Sequence, residues 1–343
     1  MGSGYGANAF LHARLGAMKA GLVSSSQWHA LLACDSFADQ RHVLESTSYA
    51  GPLPSTPDGV LRVVKQTFRG VARKIERSAP AHGTQFFRAW ARRDLLRHLR
   101  MILRGKAMGR SEEQIRSVLG GHAPADDVPI DALLRCPSLD AALDLLETTP
   151  LRHWIRAARQ LYERDPTLFG LDAALDRLYY AEVWQKMELL GVGDRTSVKK
   201  LVRLEIDQIN LLWLLRYRLN YRLSPAEAYY LLLPVTGHIS STQLQDLVRE
   251  DSLAAITARL SHRPFRELLT PCESIWEIEV EMWRYRARQA RRLLVQAAFT
   301  LGEALAFLLL KVVEVRDLVA LLEGTALGVE KTGVRQQLVG IQG

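Results

Sequence analysis

The sequence predicts an all-α fold, and three observations carry the prediction. Apolar residues recur at helical spacing nearly throughout, strand-like alternation is rare, and Gly or Pro clusters interrupt the pattern at 51–59, 120–129, 165–170 and 234–237. At 343 residues the chain exceeds the size at which a single core usually keeps growing. It is therefore expected to divide into two or three packed units of about 100 residues. An apolar share of 48% makes it globular.

From the amino terminus, the stretch MGSGYGANAFLHARLGAMK has no continuous apolar run, because His12 and Arg14 interrupt it. No secretory signal is expected, and the cytoplasm is the expected compartment. The breaker clusters at 51–59 and 120–129 are expected to be exposed loops. Between Leu61 and Arg110 stand fourteen Lys or Arg against Glu76 and Asp94, a local balance of +12 in a chain of net charge +8, which leaves about −4 elsewhere. Such a block suits nucleic acid, anionic lipid or an acidic protein face, and equally a solvated helix face. Within it Arg93, Arg97, Arg100 and Arg104 recur at helical spacing. Ser111-Glu112-Glu113-Gln114 and Ser224-Pro225-Ala226-Glu227 read as capping boxes, each following a long helix and opening a short one.

Further along, Asp207 and Asn210 sit on an almost wholly apolar helix. Polar groups there must be hydrogen bonded or cost a few kcal/mol each, so pairing within the fold is favoured over contact with a partner. Arg216 and Lys311 are the cations available to answer such carboxylates. Glu277, Glu279 and Glu281 scatter around a helix and form no metal site. Arg284, Arg288, Arg291 and Arg292 make a basic stripe opposite Trp283, Ala287, Ala290 and Leu294, which is a solvated face or a partner surface. The longest apolar stretch, Ala297 to Leu310, contains Glu303 and is too short to span a bilayer. Glu314 and Asp317, one turn apart, would serve acid–base work only in a cleft that shifts their pKa.

Cys34, Cys136 and Cys272 are far apart with no CxxC and no histidine at ligand spacing, so buried free thiols are expected. No HExxH, GxxxxGK or GxSxG occurs, and the nine histidines are dispersed. No catalytic residue, cofactor or metal is expected.

The most informative feature is a gapless threefold repeat. Leu31-Leu32-Ala33-Cys34-Asp35-Ser36-Phe37 returns as Leu133-Leu134-Arg135-Cys136-Pro137-Ser138-Leu139 and as Leu247-Val248-Arg249-Glu250-Asp251-Ser252-Leu253. Leu44, Leu146 and Leu260 then share one position, and Tyr49, Leu151 and Phe265 another, while Ser36, Ser138 and Ser252 stand where a helix N-cap would. Offsets of 102 and 114 residues are too long for a solenoid and indicate three similar helical domains. A second motif, Leu103-Arg104-Gly105-Lys106-Ala107-Met108-Gly109, is echoed by Leu322-Glu323-Gly324-Thr325-Ala326-Leu327-Gly328 and loosely by Leu215-Arg216-Tyr217-Arg218. Its last occurrence has nothing after it, whereas the first copy of the other motif has little before it. The C-terminal helices are therefore expected to complete the N-terminal domain, giving domains of 1–58 plus 280–343, 59–165 and 166–279 about a pseudo-threefold axis.

Several segments resemble the C subunit of prokaryotic V-type (A-type) rotary ATPases, the counterpart of the d subunit of the eukaryotic V-ATPase. Phe307-Leu-Leu-Leu-Lys311-Val-Val-Glu314-Val-Arg316-Asp317-Leu318 with trailing Glu323-Gly324 is similar to the family's Lys-Glu-x-Glu-Ile-x-Asn-Leu pattern, although Val312 replaces a usual Glu and Asp317 a usual Asn. Leu204-Glu205-Ile206-Asp207-Gln208-Ile209-Asn210-Leu211 resembles its Glu-Ile-Asp-x-x-Asn-Ile helix, and Tyr5, Arg14, Met18 and Lys19 its amino-terminal signature. The helix from Trp90 to Arg104 matches only loosely. The resemblance implies a funnel of three helical domains and a non-catalytic rotor adaptor, peripheral on the inner face of the cell membrane. Its partners would be the central-shaft subunits and the membrane proteolipid ring, which it would join as a monomer without nucleic acid. Arg97, Arg100, Arg104, Asp207, Asn210, Arg216, Arg284, Arg288, Lys311 and Glu314 are the candidates for partner or interdomain contact. The alternative is a helical scaffold that binds nucleic acid or another acidic partner through the 61–110 block.

Overall fold

Serine caps set several helix starts where the sequence expects them. Ser36, Ser138 and Ser252 each accept the amide three residues on, and the boxes at Ser111 and Ser224 are both closed. A computed structural model describes residues 3–49, 51–119, 128–164 and 168–341, and all regular elements among them are helices. The first series is α1 (Ser3–Lys19), α2 (Ser25–Ala33), α3 (Phe37–Glu45) and α4 (Pro57–Ser78). Then come α5 (Ala81–Ala107), α6 (Glu112–Leu119), α7 (Ile130–Arg135), α8 (Leu139–Glu147), α9 (Arg152–Arg164) and α10 (Leu168–Glu188). α11 (Val192–Leu215) runs on through a π-helical turn, Arg216–Asn220, into α12 (Pro225–Leu231), α13 (Ser241–Leu247), α14 (Leu253–Ala258), α15 (Arg263–Leu269) and α16 (Ile275–Gln296). α17 (Leu301–Ala326) and α18 (Lys331–Gln337) close the chain.

Two expected breaks are shorter than the sequence implied. The 51–59 loop ends at Thr56, which caps α4; Pro57 occupies the first helical turn, where a missing N–H costs nothing, and Leu53 is buried. In 165–170, residues from Leu168 onward already belong to α10. Most of the 120–129 stretch lies outside the described residues; Val128, at its edge, is buried.

The long helices α5, α11 and α17 begin at one knot. The Asp194 carboxylate, in the first turn of α11, accepts the Leu301 amide that opens α17 (2.8 Å) and the Asn8 side chain of α1 (3.2 Å). His82 of α5 lies 3.4 Å from the same carboxylate. Gly302 lies so close to Ser197 that a Cβ would run into it, and a Cβ on Gly83 would lie 2.8 Å from Leu301.

At their far ends the three helices terminate alike. Each chain reverses through a left-handed residue, Gly109, Arg222 or Gly328. The next amide then bonds back into the helix: Arg110 to the Gly105 carbonyl, Leu223 to Tyr217 and Val329 to Gly324, each at 2.9 Å. The middle bond spans one residue more, and the π-helical turn absorbs that insertion. The corresponding side chains trade sizes. A Cβ on Gly105 would meet Ile115 at 2.5 Å and one on Gly324 would meet Val334 at 2.7 Å, whereas the middle series has Tyr217 and Ala228, both fully buried. Gly105→Ala is therefore expected to cost about 1–3 kcal/mol by overpacking. In denaturant titrations most of that loss should be recovered in the double variant with Ile115→Ala, whose own single-variant cost is measured alongside.

The repeat positions are core positions. Leu44, Leu146 and Leu260 are buried, as are Tyr49, Leu151 and Phe265. Most of the chain shares one continuous apolar core. A second core joins Val23, Trp28, Leu31, Leu44 and Tyr49 to Leu318, Leu321, Leu322 and Val334 of the last two helices. Residues of the 23–49 segment thus pack on α17.

Candidate functional site

Carboxyl and amide side chains on the long helices hold the short helices by their backbone. Glu314 on α17 accepts the Val23 amide (2.7 Å), and Asp207 on α11 accepts the Ile239 amide (2.9 Å). Val23 and Ile239 each immediately precede the serine that caps the next short helix, α2 or α13. One turn on, Asn210 accepts the Leu233 amide (2.8 Å), and Asp317 accepts those of Val339 (3.1 Å) and Gly340 (2.6 Å). Asp207 and Asn210 therefore pair within the fold, chiefly with loop backbone. Burial pushes the Asp317 carboxyl up, although those amides and Arg316 oppose it.

The cations answer other partners than the sequence suggested. Arg216 binds Glu279 (2.8 Å) and not Asp207. Lys311, nearly fully buried, binds Glu314 (2.5 Å) and the Gly21 carbonyl (3.1 Å). Glu314 also accepts the Tyr49 hydroxyl (2.7 Å), so Glu314 and Asp317 belong to two separate networks and not to an acid–base pair.

The arginine stripe on α5 is not a solvated face. Arg100 binds Asp176 (2.9 Å), Arg104 binds Asp172, and Arg92 binds Glu182 (2.6 Å), which laces α5 to α10. Arg93 reaches Glu205 on α11 (2.8 Å), and only the half-exposed Arg97 pairs within its own helix, with Asp94. Burial raises the Asp172 and Asp176 carboxyls in spite of the arginines. The i,i+4 spacing of Asp172 and Asp176, matching that of Arg100 and Arg104, was the signal in the sequence. What remains open in the basic block is Arg110, just past α5, and α4, where Arg62, Arg73, Lys74 and Arg77 are exposed; none of these meets a carboxylate among the described residues.

On α16, Arg284 binds Glu281 (2.6 Å) and the carbonyls of Gln336 and Leu338, and Arg291 binds the Gly340 carbonyl. These two arginines hold the C-terminal tail, while Arg288 lies over the Tyr285 ring. Sequence reasoning missed Arg286, which sits on the apolar face. It is 2% exposed and binds Gln208 (2.6 Å) and Glu205 (2.9 Å). Glu205 also accepts the Tyr180 hydroxyl (2.8 Å). Burial drives its carboxyl up, but Arg93 and Arg286 outweigh that and hold it below the usual glutamate range.

The cysteines are free, as expected, but only partly buried; Cys34 and Cys136 cap α2 and α7, and each thiol lies near the carbonyl four residues back. No metal-ligating cluster and no helix long and apolar enough to cross a membrane occurs among the described residues. The side chain of Tyr5 lies outside them. Chemically, these residues brace helices against one another.

Comparison with known proteins follows the same lines. The family model for the ATP synthase (C/AC39) subunit matches residues 11–337. The chain is 19% identical to the C subunit of the A-type ATP synthase of Methanocaldococcus jannaschii, over 97% of this chain and 86% of that protein. It is 22% identical to the protein of the same name from Thermococcus onnurineus, over 97% and 90% of the two chains. With that of Methanothermobacter thermautotrophicus it shares 22% over 91% and 81%.

Proposed function

The chain belongs to the ATP synthase (C/AC39) subunit family, and from that premise we propose that it is a non-catalytic rotor adaptor, joining the central shaft to the membrane proteolipid ring. The observation that carries this reading is a family match running from residue 11 to residue 337, nearly the whole chain. In this reading the domains are 1–58 with 280–343, 59–165 and 166–279, arranged as a funnel about a pseudo-threefold axis. The adaptor lies at the inner face of the cell membrane and is held there by its partners.

The geometry supports the mechanical role. α5 has 27 residues and α17 has 26, lengths of about 40 Å at 1.5 Å per residue. Both start at the Asp194 knot and end in matched left-handed caps. A part that transmits torque must resist bending and slipping. Close packing supplies stiffness, because protein interiors are poorly compressible, and the buried ion pairs between helices oppose sliding. Both ends also offer apolar contact: Phe10, Val192, Val295 and Phe299 are exposed around the knot, and Met108, Tyr221 and Leu327 stand just before the three left-handed residues.

The test is retention of purified shaft and ring components on the immobilised chain across a salt series, with ATP hydrolysis by the chain alone measured in parallel. Retention of both partners, jointly as well as singly, and no hydrolysis are expected. Retention of neither, with DNA or RNA held at low salt, would replace the rotor reading by the nucleic-acid scaffold.

A further inference from the structure

Between α11 and α16, closed at one end by the loop that leads into α13, lies a cavity of about 160 Å³. Lys200 and Leu204 of α11, His238 of the loop, and Tyr285, Gln289 and Arg292 of α16 line it. We propose that this cavity binds a phosphate group, free or carried on a larger molecule. The proposal is independent of the rotor role.

Charge is the first argument. Of the cations on α11 and α16, Lys200 and Arg292 line the cavity, with Arg203 and Arg288 one helical turn from them, and the carboxylate bonded to the lining His238 is Asp207. That carboxylate is consumed: one oxygen accepts the His238 amide and meets its ring Nδ1, both at 2.8 Å, and the other accepts the Ile239 amide. Arg203 is held by the Gly237 carbonyl and Arg288 lies over Tyr285. Lys200 and Arg292, at the exposed mouth, meet no carboxylate among the described residues. A local excess of positive charge beside an apolar floor of Leu201, Leu204 and Leu293 attracts an anion more strongly than the same charges in open water.

Donor geometry is the second argument. The imidazole of His238 is fixed from behind by Asp207 and from the side by His262, whose ring stacks on it at 4.7 Å. With Nδ1 engaged, Nε2 is the nitrogen left for a ligand, and it donates when the ring is protonated. A guanidinium, an ammonium, an amide, a phenol and an imidazole thus line one small space, a mixed donor set suited to tetrahedral oxygens. About 10–15 Å³ of such space suffices to hold one water, so the cavity has room for a phosphate.

The full chain is titrated calorimetrically, in chloride buffer at low ionic strength, with inorganic phosphate, with ATP, and with vesicles of phosphatidic acid in phosphatidylcholine. Saturable one-to-one binding of at least one probe is expected, and the tightest arm identifies the source. Lys200→Gln with Arg292→Gln should weaken it at least tenfold, whereas Arg73→Gln with Arg77→Gln on α4, which removes the same charge elsewhere, should not. All four side chains are exposed, so both variants should keep the parent's melting temperature. No saturable binding, or equal loss in the α4 variant, overturns the proposal.

Discussion

Glu205→Ala is expected to lose about 3–5 kcal/mol of unfolding free energy, because it strands a buried charge. Glu205 is the common acceptor for Arg93, Arg286 and the Tyr180 hydroxyl. Arg286 is 2% exposed, so water cannot take over from the lost carboxylate, and its Nε already lacks a hydrogen-bond partner among the described residues. The cost is that of an uncompensated guanidinium, and says nothing about what the intact cluster contributes over an apolar one. Glu205→Gln keeps the acceptor and loses the charge, so it should fall between parent and alanine. Denaturant unfolding with an unchanged m-value checks the order. The pH dependence has a definite sign. A carboxyl held below its ordinary range stabilises the fold above the unfolded-state pKa of about 4.5, and that contribution is lost as pH falls through the depressed folded value. Asp172 and Asp176, raised by burial, act oppositely: they favour the fold as they take up protons. Glu205→Gln should therefore flatten the loss of stability below pH 4.5. An unchanged acid limb would contradict the assignment.

Glu314→Ala is expected to release the 23–49 segment from α17. The substitution removes the acceptor of the Val23 amide and of the Tyr49 hydroxyl and leaves Lys311, 2% exposed, without its carboxylate. A stranded buried ammonium and two lost hydrogen bonds place the effect at about 3–5 kcal/mol. Its reach should be local, since this segment shares its own core with the last two helices. Amide exchange across α2 and α3 should accelerate by about two to three and a half powers of ten, at about 1.4 kcal/mol per tenfold, while α13 and α14 stay protected. Asp207→Ala, which removes the corresponding anchor of α13, should give the converse pattern. If Glu314→Ala loosened both segments equally, the two anchors would not be independent.

The amino-acid sequence by itself determined the helices, many of their ends and the period of the repeat. Ser36, Ser138 and Ser252 cap helices because an N-cap answers an amide only three residues away, and Leu44 and Leu146 are buried because helical spacing carries them inward, whereas Leu260, also buried, stands just past the end of α14. It also carried the family signature along the chain. Only the tertiary structure decided who pairs with whom. Arg104 meets Asp172 at a separation of 68 residues, Arg286 meets Glu205 at 81, and Glu314 meets Val23 at 291. A basic stripe reads the same on one helix whether it faces water or an acidic neighbour, and Arg286 on an apolar face looks misplaced until Glu205 and Gln208 are brought beside it. Local periodicity sets which side of a helix is buried; the three-dimensional packing of distant helices sets which charges are buried with it, because desolvation and pairing act through space.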